Sequence, residues 1–302
     1  MGVLTPARKG RMAGQGSWEE QYRALCMTPD DAAALIRDED TIVMTSSANW
    51  PYAVDSALAR RLRAIGGHIE LDALFAPLDT ALLAAENVDL VSYNANFFAG
   101  ERKLVPHGNI QFVPTHLSAT GAWMVSRNPR VAVITCSAPN EQGWMSRSLW
   151  GSDVSRQALE QAEVVIVEVN DQMPFFSSDG EAHMLFHVSE ADMILENSRP
   201  VAETPPVPTA EVDRVIAGHI AELVQDGACV QFGLGGAGQR RGRVPGLCGK
   251  EGPGHPNGGH QQLRGGPDGT WRHQQQPQAD LHRTVGGRLL HRGPAAVGLC
   301  QG

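Results

Sequence analysis

The chain has 302 residues, with 25 Lys and Arg against 33 Asp and Glu, a length that allows one large or two ordinary domains. No apolar run reaches transmembrane length, and residues 1–17 carry Arg8, Lys9 and Arg11 without the apolar stretch of a secretory signal. Five cysteines form no C-x-x-C pair and no zinc spacing, which suits free thiols in a reducing, cytoplasmic compartment, with a mitochondrial one the alternative in a eukaryote.

After a flexible start (1–17), Trp18–Leu25 is predicted as a short helix. Thr28, Pro29, Asp30 and Asp31 supply an N-cap, a first-turn proline and acids against the helix dipole, so a second helix follows. Thr41–Thr45 is a short strand. Pro51 opens a helix with Val54, Leu58, Leu62 and Ile65 on one side, ended by Gly66-Gly67. His68–Phe75 is a strand, Leu78–Glu86 a helix, Val88–Tyr93 a strand, and Asn109–Thr115 a short extended segment. Ser118–Asn128 is a helix stopped before Pro129. Arg130–Cys136 is nearly all apolar, the mark of a strand buried on both faces. Asp153–Glu163 is a helix and Val164–Val169 a second such strand.

Pro205, Pro206 and Pro208 make a stiff connector, and Thr209 caps a long helix bearing Val212, Val215, Ile216, Ile220, Leu223 and Val224 at helical spacing. Strands alternating with helices predict an α/β fold: a parallel-rich sheet with helices on both faces. Cys229–Phe232 is a further strand, running into the glycine-rich loop Gly233, Leu234, Gly235, Gly236, Ala237 and Gly238. Such a loop brings bare backbone N–H groups up to a phosphate or an oxyanion. It should feed an apolar-striped helix, and here it does not.

From Gln239 the composition changes. Residues 239–302 hold 15 Gly, 8 Arg, 8 Gln and 6 Pro and no Ile, Phe, Tyr or Met, with a formal charge of +6 that leaves −14 on residues 1–238. That tail cannot bury enough apolar surface to offset its ordering entropy, and it is expected to be disordered or poorly packed. The acidic first part argues against a nucleic-acid surface.

Three further stretches stand where chemistry could be: Cys136–Asp153, Val169–Pro174 and His187–Glu190, the first two leaving buried strands at the carboxyl end of the sheet. Each also reads as ordinary turn chemistry. His183 and His187 are four apart but lack a third ligand, so no metal is expected. No G-x-S-x-G elbow is present for a hydrolase triad.

Together these segments resemble the acetyl-CoA hydrolase/transferase family of CoA-transferases, which includes 4-hydroxybutyrate, butyryl-CoA:acetate and succinyl-CoA:acetate enzymes. The resemblance runs through WEEQY at Trp18, TPDDAAALI at Thr28, HGNIQFVP at His107, SAPNEQGWMS at Ser137, EVNDQMP at Glu168, HVSEAD at His187 and VQFGLGGAG at Val230. It implies two similar NagB/CoA-transferase-like α/β halves: the first over residues 18–204, the second only begun over 205–238, so that the chain is truncated. It also implies a soluble enzyme, free of metal and redox cofactor, that moves coenzyme A from an acyl-CoA to a small carboxylic acid, through a glutamate that becomes an acyl anhydride and then a glutamyl-CoA thioester. Gly233, Leu234, Gly235, Gly236 and Ala237 would touch CoA. The catalytic glutamate would lie near Gly258, and no residue there fits; Glu251 has none of the expected surroundings. A catalytically inactive CoA-binding or interaction module and a NagB-like sugar-phosphate isomerase are the alternatives. The bare apolar face of the long helix leaves a homodimer open.

The tail reads as the family's second half in a shifted frame, with a real linker or a genuinely diverged tail as the alternative. The codons of Asn257-Gly258-Gly259-His260-Gln261-Gln262, read one base later, permit Thr-Glu-Val-Ile-Asn-Ser, with the expected Thr-Glu. Gly236-Ala237-Gly238-Gln239-Arg240 permits Gly-Leu-Ala-Asn-Ala in the same frame, a family-like passage from loop to helix.

Overall fold

The computed structural model describes residues 16–98, 100–151, 153–176, 184–202, 210–223, 263–265 and 271–273. The chain divides into two units, residues 203–293 and the remainder.

In the first unit the elements are α1 (Trp18–Leu25), α2 (Pro29–Ala34), β1 (Asp40–Met44), α3 (Tyr52–Ile65), β2 (Ile69–Ala73), β3 (Val91–Ala95), β4 (Ile110–Phe112), α4 (Thr120–Ser126), β5 (Val131–Cys136), β6 (Trp144–Ser146), α5 (Arg156–Gln161), β7 (Val164–Val169), β8 (Leu185–His187) and β9 (Met193–Glu196). Seven strands form one sheet in the order β4-β3-β2-β1-β5-β7-β9, every neighbouring pair parallel. β6 and β8 make a separate antiparallel pair. All six residues of β5 are buried, and so are five of six in β7, as their apolar runs predict for interior parallel strands.

Helices cover both faces. Val54, Leu58 and Leu62 of α3 pack with Ala32 and Ala33 of α2 over Ile42, Met44, Val133 and Ile166. Tyr22 of α1, Met124 of α4 and Leu159 of α5 pack on Val43, Ile134 and Val167 behind the sheet. Local signals set the helix ends. The Thr28 hydroxyl accepts from Asp31 N at 3.2 Å, and the Asp31 carboxylate accepts from Thr28 N at 3.1 Å, a reciprocal cap that starts α2. Gly66 ends α3 at φ +62°, in the left-handed region that glycine enters without strain.

Residues 78–86 are not the predicted helix; a single 3-10 turn, Ala85–Asn87, forms there. The buried Asp55 carboxylate of α3 takes the Thr80 hydroxyl, Ala81 N at 2.6 Å and Leu82 N at 3.2 Å. Asn87 Nδ2 donates to Ala81 O at 2.6 Å. Groups that a helix would pair between its own turns are held by side chains instead. β9 was not foreseen, because Met193–Glu196 is short and lacks alternation.

In the second unit, α6 (Glu211–Leu223) presents exposed Val212, Val215, Ile216 and Leu223, as its uncovered apolar face predicts. Within the tail, the described residues form β10 (Leu263–Gly265) and β11 (Trp271–His273), an antiparallel pair. The proline connector, the Thr209 cap and the Cys229 strand lie outside the described residues. No described helix is long and apolar enough to cross a membrane.

Candidate functional site

β1 to β4 are laid out toward one edge of the sheet, and β5, β7 and β9 toward the other. The winding therefore reverses between β1 and β5. In open parallel sheets ligands settle in the crevice outside the carboxyl ends of the strands at that reversal.

Asn49 laces this crevice together. Its Nδ2 donates to Thr135 O and to Arg147 O, both at 2.9 Å, and its Oδ1 accepts from Trp150 N at 2.9 Å. One buried amide thus ties the turn after β1 to the end of β5 and to the loop that follows β6. The turns it clamps contain Ser47 and Ser148, both at φ +53°, a region costly for a residue with a Cβ and found where a site fixes the backbone.

Beside Asn49 lies a cavity of about 90 Å³, lined among others by Trp50, Thr135, Glu168, Asn170, Asn197 and Arg199. Its volume holds roughly six to nine non-hydrogen atoms, counting one water-sized position per 10–15 Å³. Thr135 and Glu168 are direct neighbours across the β5–β7 ladder. Thr135 is 2% exposed, and its hydroxyl has no hydrogen-bond partner among the described residues. A buried hydroxyl without a partner, set on a cavity wall, can donate to an acceptor placed there.

Glu168 is also 2% exposed. Its position follows from the start of α3. The first N–H groups of a helix have no partner within it, and Pro51, just before the helix, has no side chain that could cap them. Glu168 Oε2 accepts from Ala53 N at 3.0 Å and Val54 N at 3.2 Å, and Oε1 accepts from Asn197 Nδ2 at 2.7 Å. Burial nevertheless outweighs these donors and pushes its carboxyl up to about 7. It can therefore accept or donate near neutral pH.

Asn170, the first residue after β7, accepts from Gln172 N at 3.0 Å and Arg199 N at 3.2 Å and donates to Arg199 O at 2.9 Å. It performs ordinary turn chemistry and at the same time fixes Arg199. The Arg199 guanidinium lies 3.4 Å over the Tyr52 ring and 3.2 Å from Asp79, forming a cationic lip on the cavity.

Of the three predicted stretches, Val169–Pro174 meets the cavity through Asn170 and Met173, and the loop from Cys136 frames it through Asn49. His187 does not reach it. Its ring packs on Trp144 and bonds to Ser189, and its backbone N–H is capped by Glu190, which pairs with Arg156. Among the described residues no group of three or more His, Cys, Asp and Glu could hold a metal ion. Gly233, Leu234, Gly235, Gly236 and Ala237, with Glu251 and the position near Gly258, lie outside the described residues. Thr135, Asn197, Arg199 and the role of Glu168 were not singled out beforehand. The one available signal was a glutamate inside the apolar run VVIVEV.

Residues 10–205 match the acetyl-CoA hydrolase/transferase N-terminal domain. The chain is 30% identical over 222 residues to the succinyl-CoA:cyclohexane-1-carboxylate CoA transferase of Geobacter metallireducens, covering 73% of this chain and 49% of that one. It is 29% identical over 223 residues to the 4-hydroxybutyrate coenzyme A transferase of Clostridium kluyveri, covering 72% and 50%. Among solved structures, RipA from Yersinia pestis superposes with a TM-score of 0.66 at 25% identity, over 74% of this chain and 54% of that one. The 4-hydroxybutyrate CoA-transferase from Porphyromonas gingivalis gives 0.58 at 25% identity, over 73% and 51%. The chain spans about half the length of the curated relatives it matches. The chain belongs to the acetyl-CoA hydrolase/transferase family through that family's N-terminal domain.

Proposed function

We propose that this chain is the acid-binding half of an acyl-CoA:carboxylate CoA-transferase, with the cavity at the sheet reversal holding the acyl group or the free acid. The observation that carries the reading is the unpartnered Thr135 hydroxyl beside Glu168 in a cavity of about 90 Å³. That hydroxyl would donate to the acyl or carboxylate oxygen, and the walls would admit a short acid. Glu168 is not the nucleophile in this account. Its oxygens are committed to Ala53, Val54 and Asn197, and a carboxylate must be free to attack.

In the reaction of the whole enzyme, a glutamate of the second half attacks the thioester carbonyl and expels CoA thiolate, leaving an acyl-glutamyl anhydride. The thiolate then attacks the glutamyl carbonyl, which releases the acid and leaves a glutamyl-CoA thioester for the second acid. Water taking the place of the second acid makes the enzyme a hydrolase. The loop Gly233, Leu234, Gly235, Gly236 and Ala237 would supply backbone donors to CoA. In the frame as given, no residue near Gly258 provides the glutamate, so turnover above background is not expected. The shifted-frame reading of residues 239–302 supplies it as Thr-Glu opposite Asn257-Gly258. Sequencing the coding DNA checks this: stop codons after Gly236 in the shifted frame, or no Thr-Glu there, end that reading.

Thermal-shift titration with acetyl-CoA, propionyl-CoA and ribose 5-phosphate tests the function. Stabilisation by the acyl-CoA compounds supports it, and stabilisation by ribose 5-phosphate alone replaces it with the sugar-phosphate isomerase reading. Binding of acyl-CoA without turnover fits this half acting as a CoA-binding module.

A further inference from the structure

The cavity already contains one buried carboxyl group and, if it is the acid site proposed above, receives a second with the substrate. Glu168 has three donors on its two oxygens, which leaves about one acceptor position open. Among the described residues, the ionisable groups around it do not offer a free positive charge. Asp55, one turn along α3, is buried and acidic. Tyr52 and Asp79 stand at the mouth, joined by a 2.8 Å hydrogen bond. Arg199 is the cation lining the cavity, and Asp79 already balances it at 3.2 Å. Arg147, across Asn49, directs its guanidinium to the Gly151 and Val154 carbonyls. Two carboxylates in so small a space cannot both remain ionised.

We propose that the cavity binds a free carboxylic acid together with one proton, which Glu168 holds. The proton comes from solvent, and no covalent bond other than the O–H bond is made. The protonated Glu168 then donates to the incoming carboxylate, on whose other side the Thr135 hydroxyl donates. A neutral acyl group at the same place needs no proton. Entry and exit of the acid are therefore linked to pH, while seating of the acyl group is not. Burial makes the proton available near neutrality, since the Glu168 carboxyl titrates at about 7.

The test is calorimetric titration of the full chain with propionate at pH 6 and pH 8, each in two buffers of different ionisation enthalpy. Binding should be roughly tenfold weaker at pH 8, the ratio of protonated Glu168 at the two pH values. Close to one proton should be taken up per propionate at pH 8 and close to none at pH 6. Propionamide, a neutral isostere, should bind without proton exchange. Glu168→Gln should bind propionate with equal strength at both pH values and without uptake. If that variant does not fold, Thr135→Val should bind more weakly than wild type and keep the uptake. Equal propionate affinity at both pH values with no proton uptake overturns the proposal and leaves the acid site standing. No propionate binding at either pH removes the acid site and the proposal with it.

Discussion

Replacing Glu168 by Gln isolates the cost of its buried charge. In the native state burial raises this carboxyl from 4.5 to about 7; in the unfolded chain it returns to the ordinary range. The native state therefore binds the proton more tightly, and stability falls as pH rises from about 4.5 through about 7. At about 1.4 kcal/mol per tenfold, the charge costs about 3 kcal/mol at pH 8 relative to pH 4.5. The cost is not screened, because the side chain is 2% exposed. Glutamine keeps an oxygen for Ala53 N and Val54 N and does not titrate. Asp72 is also raised by burial, and its contribution is common to both proteins and cancels; Asp55 is raised as well and repels Glu168, so its own shift eases in the variant and widens the gap between the two curves. Urea unfolding of wild type and variant at pH 5, 6, 7 and 8 reads the effect. The wild type should lose about 2–3 kcal/mol more than the variant across that range. Parallel curves for the two proteins would refute the account of Glu168.

Other expectations concern the frame that holds the site. Ile134 is fully buried in β5, so Ile134→Ala should cost about 2–5 kcal/mol in the same assay. Thr28→Ala removes the α2 cap and should cost about 1 kcal/mol. Asn49→Ala leaves Trp150 N, Thr135 O and Arg147 O without this amide. It should cost about 1–3 kcal/mol for each group left unsatisfied and hasten proteolysis in the loop after β6, read by limited digestion.

The architecture was legible because its determinants are local. VAVITC and VVIVEV are strands buried on both faces, and Thr28-Pro29-Asp30-Asp31 spells a helix start. Residues 78–86 misled because their helix-compatible composition says nothing of Asp55, whose side chain captures their backbone from more than twenty positions away. The site was harder to read for the same reason. Glu168 caps a helix that begins 116 positions earlier, and Thr135 matters only because strand pairing sets it beside Glu168. A glutamate in an apolar strand announces a buried charge; what neutralises or uses it is decided by tertiary contacts that no local pattern contains.

The central claim, that the cavity at the sheet reversal seats the acyl end of an acyl-CoA, is tested most directly by titrating propionyl-CoA into wild-type protein and Thr135→Val. The hydroxyl and the methyl that replaces it differ little in size, so folding should be preserved and one donor lost. The account predicts binding by wild type and binding weaker by about tenfold in the variant, the worth of one buried hydrogen bond. Equal affinity in the two proteins would contradict it.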